Sequence, residues 1–128
     1  MKTLKKVMLS LMVASSIGAV STSALAESDP GRVTYKPAEA IDMTKGKIQI
    51  AIDSIKTGGS GDAVDTLIKD ALNMSKEINA NDRVDANRSK ANNKLKSAKA
   101  HAKENALQEA EQELRDAQKM FEDLKPLI

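Results

Sequence analysis

The chain of 128 residues has no cysteine and no tryptophan, and only one tyrosine, one phenylalanine and one histidine. Each shortage excludes something. Without Cys there is no disulfide framework, no thiolate zinc or iron–sulfur site, no thiol nucleophile and no attached c-type haem. A single imidazole excludes a histidine-cluster metal site and any two-histidine mechanism within one chain. Two aromatic rings are too few for a surface on which bases stack, so nucleic acid is not an expected partner. There is no G-x-S-x-G elbow, no Walker loop and no Glu-x-x-His pair of the kind carried by di-iron bundles. No catalytic or cofactor-binding residue is assigned, and the expected class is non-enzymatic.

The long apolar run is confined to the start of the chain. Lys2, Lys5 and Lys6 precede an apolar stretch from Val7 to Val20, and Ala24-Leu25-Ala26 follows. This is the pattern of a cleavable secretory signal peptide over residues 1–26, with a mature chain beginning at Glu27. The apolar stretch is too short to serve as a membrane span, and with no Cys after the cleavage site a bacterial lipoprotein is not expected. The expectation is an exported, periplasmic protein without a stable membrane anchor. Of the 20 basic and 18 acidic residues, three lysines leave with the signal. The remainder, 17 against 18, is nearly neutral, so the precursor's basic balance does not argue for a polyanionic partner.

What is present is helical. Residues 27–37, with two prolines and a glycine, read as an extended lead-in. Residues 38–126 carry four amphipathic segments. Ile41, Ile48, Ile52 and Ile55, with Ala51, mark the first, which stops at Thr57-Gly58-Gly59. Val64, Leu67, Ile68, Ala71, Leu72, Ser75 and Ile78 mark the second, with Asp62 as expected N-cap. Val84, Ala91, Leu95, Ala98 and Ala102 form a thin stripe on the third. The fourth opens at Asn105, expected as an N-cap with Gln108 completing a capping box. Leu107, Ala110, Leu114, Ala117, Phe121 and Leu124 then form a narrow seam at alternating spacings of three and four.

A shift of 43 residues aligns the two halves without a gap, setting Ile52 on Leu95, Ala71 on Leu114 and Ile78 on Phe121. The expected fold is all-α: a small four-helix bundle of two tandem antiparallel hairpins, about 38–78 and 83–125. Its core is thin, with 19 Leu, Ile, Val and Phe in the 102 residues after the signal, supplemented by 14 alanines. The Leu107–Leu124 seam, through Leu107, Leu114, Phe121 and Leu124, is the candidate surface for an exported protein partner or for homo-oligomerisation.

His101 is the sole imidazole, and Glu104 lies three residues on, so the two are the candidate ligands for a divalent metal ion. Glu109, Glu113 and Asp116 share one face of the fourth segment and read as a solvated, salt-bridged face. Met43, Met74 and Met120 read as gap-filling side chains rather than thioether ligands.

The stretches AVDTLIKDALNMSKEI (63–78) and ALQEAEQELRDAQKMFEDL (106–124) resemble the repeats of the small metal-binding protein family, periplasmic bundles of short amphipathic helices. The likeness spans about Lys45 to Leu124. It implies a helical bundle, an exported location and binding of divalent metal. Members known for metal binding use many histidines spaced along the helices, whereas this chain has His101 alone. The competing expectation is a structural or chaperone-like assembly accessory that docks another exported protein through its helical faces.

Overall fold

The computed structural model describes residues 34–128, with the folded unit running from Tyr35 to Ile128. The expected signal peptide and residues 27–33 of the lead-in lie outside the described residues. Four helices follow one another: α1 (Pro37–Lys56), α2 (Gly61–Ser75), α3 (Asp82–Lys103) and α4 (Leu107–Glu122), with a 3-10 turn at Lys125–Leu127. No strand occurs among the described residues. The main packing pairs are α1 with α2, α2 with α3, α3 with α4, and α4 back onto α1. That closed ring, with α1 and α3 diagonal to each other, is an up-down-up-down four-helix bundle.

The seams explain why the ring closes. The seam of α1 is Ile41, Thr44, Ile48 and Ala51, with Ala40 and Ile52 buried beside it; that of α2 is Val64, Ile68, Ala71, Ser75 and Ile78 just beyond it, with Met74 buried alongside. Val84, Ala91, Leu95, Ala98 and Ala102 supply α3, and Ala110, Leu114, Ala117, Phe121 and Leu124 supply α4 and its end. Spacings of three and four alternate through each set, the heptad geometry that keeps one narrow stripe facing its neighbours. On α3 the missing step is Arg88, which is half-buried and carries its charge out of the core to donate to the Ile78 carbonyl at 2.8 Å. The alanines let the helices approach closely, so few large side chains suffice. The two buried polar side chains among the described residues are satisfied. Thr44 donates to the Ala40 carbonyl at 2.8 Å; Ser75 donates to that of Leu72 at 2.7 Å and meets the Asn92 side-chain amide at 2.8 Å.

The helix ends differ from expectation in two places. The N-cap of α2 is Ser60, whose hydroxyl accepts from the Ala63 amide at 3.1 Å, and Asp62 sits instead in the first turn. Asn105 caps nothing at α4. It follows the end of α3 with φ +63°, while the Ala106 amide reaches the His101 carbonyl (2.8 Å) and the Asn105 amide reaches that of Ala102 (3.0 Å). This is a Schellman motif with Asn in the left-handed position. The same motif ends α1: Gly58 has φ +88°, Gly59 bonds to the Ser54 carbonyl (2.7 Å) and Gly58 to that of Ile55 (3.2 Å).

These paired turns revise the repeat. Gly58 and Asn105 are 47 positions apart, as are Ile48 and Leu95, and Ala51 and Ala98. Past the turn the matching buried positions are 46 apart: Val64 with Ala110, Ile68 with Leu114, Ala71 with Ala117, Ser75 with Phe121, and Ile78 with Leu124. The one-residue change falls where Thr57–Ser60 is matched by the shorter Glu104–Ala106 connection. The gapless 43-residue shift differs from this register by about one helical turn. It therefore matched faces without matching turns.

Candidate functional site

Both hairpin turns lie at one end of the bundle, where Gly61 is buried against α3. A Cβ there would sit 2.2 Å from the Ala102 carbonyl oxygen and 2.9 Å from Asn105 Oδ1, so only glycine fits. This close approach fixes the level of the last turns of α3, which carry Ser97 and His101 one turn apart.

Both of those side chains converge on Glu113 of α4. Ser97 Oγ donates to Glu113 Oε2 at 2.6 Å, and His101 Nδ1 lies 2.6 Å from Oε1. The imidazole is about one-third exposed and the carboxylate about one-sixth. The hydrogen bond that His101 donates to Glu113 raises the His101 pKa above its ordinary value against the opposing effect of desolvation, and the charges of Glu113, Glu104 and Glu109 add to the rise. Burial pushes Glu113 upward, but the bonds from Ser97 and His101 outweigh it and hold the carboxyl below its ordinary range. Below the raised value, then, the pair is an imidazolium facing a carboxylate, with Nδ1–H donating.

The order of the three groups decides their chemistry. In nucleophilic catalysis the imidazole takes the hydroxyl proton while the carboxylate orients the imidazole. Here the carboxylate is central, the hydroxyl donates directly to it, and its lowered pKa makes it a weak base. The arrangement positions an imidazole; it does not activate a nucleophile.

The structure brings together some of the expected site residues and separates others. His101 is paired with Glu113 across two helices rather than with Glu104, which is the exposed residue ending α3. Glu113 and Asp116, read as part of a solvated face, both turn toward α3, Asp116 lying 4.0 Å from Lys94. Ser97 was missed, since neither its spacing nor its type distinguishes it from other polar residues of α3. No group of three or more His, Cys, Asp or Glu side chains placed to hold a metal ion occurs among the described residues. The described residues of one chain therefore do not assemble a ligand set for a resident metal.

The expected docking seam is corrected as well. Leu114, Phe121 and Leu124 have no exposed surface, and Leu107 packs partly buried against the same core. An isolated amphipathic helix offers its seam to any partner; α4 finds its partners in α3 and α1 of its own chain. Met74 is likewise in the core, while Met43 is on the outside.

A shallow cleft lies between α1 and α4, lined by Lys45, Arg115, Gln118, Lys119, Glu122 and Asp123. Its charges are already paired: Lys45 with Glu122, Arg115 with Glu111 at 2.6 Å, and Lys119 with Asp123 at 3.6 Å. Lys125 clasps the chain end to α1 through Asp42 at 2.7 Å, which lowers the Asp42 pKa and raises its own. Gln118 donates to Gln49 Oε1 at 2.9 Å across the same seam. No cation or anion is left over in this cleft to hold a ligand.

The fold and site define an all-α four-helix bundle with a positioned imidazole between its third and fourth helices. No protein-family model, curated protein or solved structure matches the chain. No helix among the described residues is long and apolar enough to cross a membrane.

Proposed function

We propose that the chain is a non-enzymatic, exported helical-bundle protein that works by binding, presenting the outer faces of its helices rather than an internal pocket. The observation that carries this reading is the order Ser97–Glu113–His101. It holds an imidazole in a fixed orientation at the α3–α4 surface, yet leaves no activated nucleophile and no strong base. The leader pattern of residues 1–26 supports export, and the likeness to the small metal-binding protein family supports the compartment.

For a divalent metal, His101 offers one ring nitrogen beyond the one committed to Glu113, and a carboxylate behind an imidazole is the usual support for such a ligand. One ligand is below what a tight site needs. The alternative reading, an accessory that docks another exported protein, rests on the outer helical faces, because the Leu107–Leu124 seam is consumed in the core.

Calorimetric titration of the protein and of His101→Ala with Cu(II), Zn(II) and Ni(II) separates the two. Under the accessory reading both proteins bind only weakly and alike. Saturable micromolar binding lost in the variant assigns the function to metal.

A further inference from the structure

Two of the three large hydrophobic side chains exposed among the described residues, Met43 and Ile50, are seven positions apart on α1. Two turns separate them on one outward face. Gly46 lies between them, and a Cβ added to it would meet nothing within 4 Å. Glycine inside a helix weakens it, and no packing within this fold requires one here. An outward glycine does, however, lower the helix surface so that another chain can come close. Glu39 and Asp53, both exposed, mark the two ends of this stripe. Neither is paired with a cation among the described residues; the Asp53 carboxylate accepts from the Gln49 side-chain amide, at 2.9 Å.

The diagonal helix has the complementary character. From Arg88 to Lys103, α3 carries six cationic side chains and no carboxylate, in a chain that is nearly neutral after its leader. Lys94 and Lys99 are drawn toward Asp116 and Asp65, and Arg88 toward Asp85. Lys90, Lys96 and Lys103 remain exposed, without an anionic partner among the described residues. The outward positions among them are short: Ala86, Ser89, Asn93 and Ala100 are all exposed and make a flat floor.

The two faces match in register. In an up-down-up-down bundle α1 and α3 run in the same direction, so a copy displaced sideways lays its α3 parallel to α1 of the first. Setting Met43 and Ile50 over Asn93 and Ala100, which are also seven apart, brings Gly46 to Lys96 and Asp53 to Lys103, with Glu39 beside Lys90. We propose that the outer face of α1 (Glu39, Met43, Gly46, Ile50 and Asp53) is a docking surface for the cationic outer face of α3 of a second copy. The contact is heterologous, so it links copies head to tail and leaves one free face at each end.

Protein expressed from its full reading frame, in the form the cell accumulates, is followed by sedimentation across concentration and salt. The wild type is expected to gain mass with concentration and lose it with added salt, since exposed pairs are screened. Ile50→Glu blocks one face, and Lys96→Glu with Lys103→Glu blocks the other. Each is expected to be monomeric alone, while an equimolar mixture forms a dimer, because each variant keeps the face that the other lost. Circular dichroism checks that both remain helical. The paired reversal Asp53→Lys with Lys103→Asp should restore the association that either single change removes. Gly46→Ala should weaken association while raising the melting temperature. A wild type that stays monomeric throughout, even if it captures some other partner, overturns the proposal. So does a mixture of the two blocked variants that remains monomeric.

Discussion

At the scale of single residues, the informative feature is that the chain has one histidine and that the fold gives it one carboxylate. The His101–Glu113 contact spans two helices, so its titration reports on tertiary structure. The His101 pKa is raised from an ordinary 6.5, so its contribution to stability is complete below that value and is lost as pH rises through the folded-state value. Glu113 is lowered from an ordinary 4.5, so its contribution is present above that value and is lost as pH falls through the folded-state value. The pair therefore supports the fold most between about 4.5 and 6.5. Because no second imidazole interferes, a proton NMR titration follows His101 alone. The expected outcome is a midpoint above the ordinary value that moves back down in Glu113→Gln, with the melting temperature declining from weakly acidic to alkaline pH. An unchanged midpoint in Glu113→Gln would show that the imidazole is not held by this carboxylate.

At the scale of elements, the turns carry more of the specification than the helices do. The helix faces were legible from the sequence because Ala, Leu and Ile recur at three and four, and all five stripe positions of α3, from Val84 to Ala102, are buried. The turns were not legible, for a chemical reason. Asn is favoured both as an N-cap and in the left-handed position after a helix. In a connection as short as Glu104–Ala106, Asn105 stands within reach of both roles. Only the backbone shows which was taken. The repeat was ambiguous for a related reason: a shift of 43 residues differs by about one turn from the register of 47 before the turn and 46 after it, so both superpose apolar faces, and only the paired Schellman turns select the second. The placement of Ser97 against Glu113 was out of reach too, because it depends on how α3 and α4 are rotated about their axes. If the turns set the register, substitutions there should act through backbone conformation. Gly58→Ala, at φ +88°, is expected to cost about 1–2 kcal/mol, and Asn105→Ala, at φ +63°, about 1 kcal/mol, whereas Asn105→Gly should be nearly neutral. Urea unfolding of the three variants measures this. A neutral Gly58→Ala would mean that α1 can end in some other way.

At the scale of the whole molecule, the question is which unit folds. Each hairpin has its own turn and its own matched seam, which invites the idea of two independent halves. The packing argues otherwise. α2 lies against α3 and α4 against α1, so each hairpin buries part of its stripe only on the other. The stripes are also poor in large side chains, with alanine at Ala51, Ala71, Ala91, Ala98, Ala102, Ala110 and Ala117. Such a surface gains from close packing of helices rather than from area removed from water on one side, and an isolated helical pair of this length is marginal in water. The clasps that finish the molecule also cross between the halves: Lys125 reaches Asp42, and Lys45 reaches Glu122. Division at Ala80 should therefore give two fragments with little helical circular dichroism alone. Mixed in equal amounts, they should recover the helicity of the intact chain and melt in one concentration-dependent transition. Full helicity in either fragment as a monomer would mean that a hairpin can bury its stripe unaided, and the bundle would then be two domains in contact. Recovery only on mixing places the folding unit at all four helices. On that outcome a destabilising change in either turn, at Gly58 or at Asn105, lowers the stability of the entire bundle and not of its own half.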